Sequence, residues 1–240
     1  MAWADRKESP LTRHIGIVAC SAEGAALCYR TICTEAPSRL GCFAHPEVSL
    51  HTHDFAEYMR RIDAGDWPGV AELMLDSAGK LAAVGADLLI CPDNTIHQAM
   101  PRVTPSSPAP WLHIAEEVVR AAREDGRRRL AVLGTRYLMD GPVYREAAAA
   151  AGLEIAVPDA PRREEIHRII FEECIAGRFL PDSRAFLNEV IAAMRAEGCD
   201  AAVLGCTELP LLADAATAAL PLLDSTRLLA RAALREAIGD

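Results

Sequence analysis

The chain has 240 residues, 51% of them hydrophobic, which is enough for a sizeable core in one large domain or two smaller ones. With 25 Lys+Arg against 34 Asp+Glu the formal charge is -9, and the basic face that nucleic-acid binding needs is missing. No apolar run approaches the ~18 residues that span a membrane, and Met1 to Arg13 lacks the apolar stretch of a signal peptide. The expectation is a cytoplasmic protein with reduced thiols, no nucleic acid and no membrane partner.

Residues 1–13 read as a disordered tail. His14-Ile-Gly-Ile-Val-Ala-Cys20 is a short apolar strand, ended by Ser21, and a helical pattern runs on to about Ala36. Val48–His51 reads as a strand and Pro68–Val84 as a helix with Val70, Leu73, Met74 and Leu81 on one face. Asp87–Cys91, Trp111–Ile114 and Leu130–Gly134 are further strands, the last two separated by a helix. Helices are expected over Met139–Ala151, Arg163–Ala176 and Ser183–Glu197. Ala201–Leu204 and Leu220–Leu223 are strands, and Thr226–Ala237 closes the chain as a helix. Short continuous apolar strands between helices indicate buried parallel sheets, hence an α/β fold.

The chain also repeats itself. Gly85-Ala-Asp-Leu-Leu-Ile-Cys-Pro-Asp-Asn-Thr95 lies over Gly198-Cys-Asp-Ala-Ala-Val-Leu-Gly-Cys-Thr-Glu208 at an offset of 113 residues. Ile15–Cys20 matches Leu130–Thr135 at 115, and Pro110–Ile114 matches Pro221–Ser225 at 111. Three matches in one order point to two similar halves. Each polar cluster then falls just past a strand's carboxyl end, where open α/β sheets bind ligands. In this register Asp93 is opposite Cys206 and Asn94 opposite Thr207, so two facing halves would set Asp93 and Cys206 on opposite walls of one cleft. Such a pair suits removal of a proton from carbon on one face and its return on the other, which inverts a stereocentre.

Eight cysteines are present, without a Cys-x-x-Cys pair, so neither a zinc ribbon nor a disulfide framework is indicated. Most, including Cys28, Cys33, Cys91, Cys174 and Cys199, read as small core residues, while Cys20 ends the first strand and is placed to line a cleft. The only lysines are Lys7, in the tail, and Lys80, on a half-exposed helix; neither suits a pyridoxal phosphate Schiff base.

Ile15-Gly-Ile-Val, Asn94-Thr-Ile-His97 and above all Gly205-Cys-Thr-Glu-Leu-Pro210 resemble the aspartate/glutamate racemase superfamily, and most of all its aspartate racemase branch. Leu133–Tyr137, Ile169–Glu173 and Asp224-Ser-Thr226 agree, so the resemblance spans roughly residues 14–238. It implies two flavodoxin-like lobes, pseudo-two-fold related, with the active site between them, no cofactor, a small amino-acid or carboxylate substrate and a homodimer. The lobes would comprise residues 14–112 plus 225–240 and residues 113–224. The family pattern has one cysteine in Cys-Asn-Thr and one in Gly-Cys-Thr. Here the second is Cys206, but the first position is Asp93.

The expected catalytic pair is therefore Cys206 as thiolate base and Asp93 as a carboxylic acid kept protonated by burial and nearby negative charge. Ser21, His51, Asn94, Thr95, Thr135, Arg136 and Thr207 are candidate substrate-binding residues, with Glu208 and His97 supporting them. Backbone NH groups after Cys206 and Asp93, at a helix start, would favour the thiolate and a substrate carboxylate. Other readings stay open. A single working cysteine suits decarboxylation or cis–trans isomerisation; the site could instead only bind ligand, with Asp93 bonded to nearby backbone NH groups. His51-x-His53 with Asp54, completed by His97 or His113, would be the nucleus of a metal-dependent hydrolase, although no metal is the main expectation. Where the family often places cations, this chain has Phe55 and Glu165, which favours a substrate with a neutral or basic side chain over aspartate.

Overall fold

The computed structural model describes residues 12–239. Residues 1–11, most of the expected tail, lie outside the described residues. Arg13 is anchored: its guanidinium reaches Asp87 and Glu236, and its N–H bonds the Ala237 carbonyl at 2.9 Å.

Eight strands form two four-stranded sheets, parallel throughout. The first holds β1 (Ile15–Ala19), β2 (Val48–Thr52), β3 (Leu88–Ile90) and β4 (Trp111–Leu112) in the order β2-β1-β3-β4. The second holds β5 (Arg129–Leu133), β6 (Glu154–Ala156), β7 (Ala201–Leu204) and β8 (Leu222–Asp224) in the equivalent order β6-β5-β7-β8. Pairing register reproduces the internal repeat. Ile15 pairs with Leu88 and Leu130 with Ala201, the sequence offsets of 115 and 113. Leu89 pairs with Trp111 and Ala202 with Leu222, the offsets of 113 and 111. In both sheets the chain order reverses between the two central strands, so a crevice opens at the carboxyl ends of β1 and β3 and again at those of β5 and β7.

Both faces of each sheet are buried, which explains the unbroken apolar strands. On β1, Ile15, Ile17 and Ala19 pack with Leu88 and Ile90 against the helices Ala22–Glu35 and Ser225–Ile238. Val18 and Cys20 face the other way, toward the helices Phe55–Asp63 and Trp67–Ala83. In the second sheet Ala131, Leu133, Ala202 and Leu204 meet the helix Pro181–Ala196, while Leu130, Val132, Ala201 and Val203 meet the helices Ile114–Glu124 and Val143–Ala150. Each sheet's last strand thus runs into a helix that helps to cover the other sheet.

Several elements differ from the sequence reading. The helix Phe55–Asp63 and strand β6 were not expected. The helix expected over Met139–Ala151 is divided at Gly141-Pro142 into Arg136–Asp140 and Val143–Ala150, since proline lacks the N–H that would continue the ladder. The expected helix Arg163–Ala176 begins at Ala160 and widens over Ile169–Cys174 into a π-helical turn. No helix among the described residues is long and apolar enough to cross a membrane.

Candidate active site

The two crevices face one another, and the loops past β1, β3, β5 and β7 line a single narrow cleft of about 40 Å³. Cys20 and Ser21 follow β1, Asp93 to Thr95 follow β3, Thr135 follows β5, and Gly205 to Glu208 follow β7. Close approach of the chains explains the glycines. A Cβ on Gly205 would lie 3.0 Å from the Leu133 carbonyl, and one on Gly24 would lie 2.5 Å from Thr207 Cγ2.

Hydroxyl pairs stitch the lobes together across the cleft. Ser21 Oγ meets Thr207 Oγ1 at 3.3 Å, and Thr95 Oγ1 meets Thr135 Oγ1 at 3.1 Å. Ser21 and Thr135 also cap helices, accepting from Gly24 N and Leu138 N. Asn94 is buried and engaged: its amide donates to Ser225 Oγ at 2.9 Å, and its carbonyl accepts from Tyr144 OH at 2.7 Å.

Cys206 is half-buried and donates its thiol proton to Glu208 Oε2 at 2.9 Å; Thr207 Oγ1 donates to the same oxygen at 2.7 Å. Burial, and then the Glu208 charge, push the Cys206 thiol well above its ordinary range. This corrects the expected electropositive setting. The helix after Cys206 starts only at Leu209 and has four residues, so the group facing the sulfur is a carboxylate. That carboxylate, 4% exposed, is placed to take the thiol proton and leave a nucleophilic sulfur.

Asp93 is also half-buried, and burial is the main cause that raises its pKa, with the Glu208 charge adding to it. One of its oxygens accepts the Ile96 N–H at 3.1 Å, so backbone bonding is part of its role. Cys20, 3% exposed, lines the cleft beside Asp93, and burial, then the Asp93 charge, raise its thiol pKa strongly.

Three proposed residues lie away from the cleft. His51 Nδ1 bonds Ser77 Oγ at 2.9 Å, on the helix beside β2. Arg136 is exposed, pairs with Glu164 at 3.6 Å and lies over the Tyr137 ring, because the helix it begins turns it outward. His97 Nε2 bonds the Cys91 carbonyl at 3.0 Å and its ring stacks edge-on against His113. Both histidines line a larger, separate cavity of about 1210 Å³ that shares no lining residue with the cleft and carries none of the thiol–carboxylate pairs. The metal nucleus is not assembled either: His53 pairs with Asp76, Asp54 caps the helix Phe55–Asp63, and no group of three potential ligands gathers among the described residues.

The sequence reading missed the apolar end of the cleft. Phe55, Met59, Ile62, Tyr137, Ile170, Phe171 and Ile175 line it, and among the described residues no lysine or arginine does. Phe55, Met59 and Ile62 project from the unexpected helix, and Ile170 and Phe171 from the π-helical turn, whose width shows in the Ile175 N to Ile170 O bond. Glu165 is occupied by Arg168.

The sequence profile of the Asp/Glu/Hydantoin racemase family matches residues 16–233. The chain belongs to this family. It is 31% identical to a Yersinia pestis protein assigned as an Asp/Glu racemase, whose crystal structure superposes with a TM-score of 0.87 over 94% of this chain and 99% of that one. An aspartate racemase homologue from Pyrococcus horikoshii OT3 is 26% identical, with a TM-score of 0.81 over 94% and 99% of the two chains. RacX of Bacillus subtilis (strain 168), a broad-specificity amino-acid racemase, is 23% identical over 169 residues, covering 69% of this chain and 71% of RacX. The two-lobed α/β architecture is thus that of the family.

Proposed function

We propose that the chain is a cofactor-independent amino-acid racemase that inverts Cα between its Cys206 and Asp93 walls. The observation that carries this reading is the pairing of Cys206 with Glu208 on one side of a narrow cleft, with a half-buried acid, Asp93, among the residues that complete its lining. Glu208 takes the thiol proton, the Cys206 thiolate removes the Cα proton, and the opposite wall returns one. Serine and threonine hydroxyls at Ser21, Thr95, Thr135 and Thr207 are positioned for the substrate α-carboxylate. Among the described residues no lysine is placed for a pyridoxal phosphate Schiff base: Lys80 is exposed and paired with Asp76 on the helix Trp67–Ala83, away from the cleft.

The apolar end of the cleft favours a neutral side chain over aspartate or glutamate, because a carboxylate there would lose its hydration without gaining a cation. The breadth of the RacX relative is in keeping with this. A cytoplasmic homodimer is the form in which we expect it to act.

The test is incubation with L- and D-leucine, methionine, lysine and aspartate in heavy water, read by mass spectrometry and chiral chromatography. Wild type should exchange and invert leucine or methionine faster than aspartate, and Cys206→Ala should lose inversion. Full activity in Cys206→Ala, or faster exchange of aspartate, would overturn the corresponding half of the reading.

A further inference from the structure

Each strand end that meets the cleft can be asked which group is within reach of substrate. On the Cys206 side the answer is a thiol backed by a carboxylate. The Asp93 side holds the same combination, built from two separate loops. Cys20 ends β1 and Asp93 follows β3, neighbouring strands that pair through Ile17 and Ile90, and both residues line the cleft. The two side chains line the same part of the cleft, close enough for the Asp93 charge to push the Cys20 thiol up. Its chain neighbour Ser21 touches Thr207, the neighbour of Cys206, so the two thiols are brought to the same stretch of the cleft from opposite lobes.

We propose that on the Asp93 wall the Cys20 thiol exchanges the proton with Cα, and Asp93 is its proton partner. Each wall then presents one thiol–carboxylate pair, Cys20–Asp93 facing Cys206–Glu208. This rests on the racemase reading above. Asp93 is suited to the supporting place because one carboxylate oxygen is anchored by the Ile96 N–H.

The protons balance without any co-reactant. At the start the Cys20–Asp93 pair carries two protons, and the Cys206–Glu208 pair carries one, which the thiol passes to Glu208 as the sulfur engages Cα. The Cα–H bond breaks toward Cys206, forming S–H, and the electron pair stays on Cα. The Cys20 S–H bond then breaks and a new Cα–H bond forms on the opposite face. The Cys20 pair ends with one proton and the Cys206 pair with two, which is the starting state for the opposite enantiomer.

The experiment compares wild type, Cys20→Ala, Cys20→Ser, Asp93→Asn and Cys206→Ala for Cα–H exchange from each enantiomer of leucine and methionine in heavy water. Folding is checked by thermal melts. Cys20→Ala and Cys20→Ser should lose exchange from one enantiomer by about 100-fold or more and keep it from the other, with Cys206→Ala showing the opposite preference. Asp93→Asn should slow the same enantiomer as Cys20→Ala by less and move its pH–rate profile to lower pH, because a negative charge beside the thiol is gone. If both Cys20 variants keep exchange from both enantiomers while Asp93→Asn loses one, Asp93 moves the proton itself; the Cys20 assignment fails and the racemase stands. If wild type exchanges neither amino acid, the racemase reading fails. The pair is then judged by thiolate ultraviolet absorbance. The titration that disappears in Cys20→Ala must shift to lower pH in Asp93→Asn, and no shift overturns the pairing.

Discussion

Glu208 lies 2.9 Å from the Cys206 sulfur, and its place in the contiguous run Gly205-Cys-Thr-Glu208 is why this half of the site can be read in the sequence. Glu208→Gln keeps the shape and removes the proton acceptor. Exchange through the Cys206 face should fall by about 10²–10⁴-fold, the usual worth of a general base, with little change in melting temperature; rates in heavy water check this. The other half is not contiguous. Cys20 and Asp93 share the cleft only because β1 and β3 are neighbours, so Asp93 is visible in its Asp-Asn-Thr run while the thiol proposed as its partner is not. Asp93 also predicts a pH dependence. Its pKa in the fold is raised, chiefly by burial, so its contribution to stability is present at low pH and lost as pH rises through that raised value. Asp93→Asn removes the titration. Its melting temperature should therefore gain on wild type as pH goes from acid to neutral, and melts across that range would show a flat difference if the charge is not what matters.

The helix Ala22–Glu35 opens beneath the cleft, and its first turn holds Gly24 against both lobes. Helix propensity alone says that alanine there gains about 1 kcal/mol. The added Cβ would instead meet Thr207 Cγ2 at 2.5 Å and the Pro92 carbonyl at 3.1 Å. Gly24→Ala should be destabilising by roughly 1–3 kcal/mol, as overpacked sites are, and should raise KM; a chemical melt and steady-state kinetics decide between propensity and packing. The helix Phe55–Asp63 had a usable signal. Phe55, Tyr58, Met59 and Ile62 recur at helical spacing after the Asp54 cap, the pattern that places Phe55, Met59 and Ile62 on the apolar wall of the cleft. Strand β6 has three residues and one neighbour, too short for any periodicity. The π-helical turn Ile169–Cys174 has the apolar pattern of an ordinary helix, and only tertiary packing selects the wider ladder.

At the scale of the molecule, the lobes close on a cleft of about 40 Å³, room for a few waters, so substrate entry requires them to part. Tyr137 OH donates to Asp63 Oδ1, a bond between the lobes near the mouth. Tyr137→Phe removes one hydrogen bond, worth about 0.5–1.5 kcal/mol, and so should raise the open population about 2- to 12-fold. Alkylation of Cys206 by iodoacetamide, followed by mass spectrometry, should accelerate by that factor; an unchanged rate would show that the mouth opens elsewhere.

Repeated Gly-x-Asp strands and apolar runs determine two parallel sheets, because central strands apolar on both faces need helices on both sides of the sheet. The same repeat brings Asp93 and Cys206 to equivalent strand ends, and the contiguous Gly-Cys-Thr-Glu run marks the family. The rest depends on side chains that are far apart in the chain and meet only after folding. Crossed strand order brings Cys20 and Asp93 to one cleft lining, and the packing of two helices turns Phe55 and Phe171 into one apolar wall. His51 and Arg136, plausible ligands by position, are turned toward Ser77 and Glu164 by the same packing. Local pattern determines which strands form; only the contact of the two lobes decides which side chains share the cleft, since a strand end fixes where a loop begins and not where its atoms point.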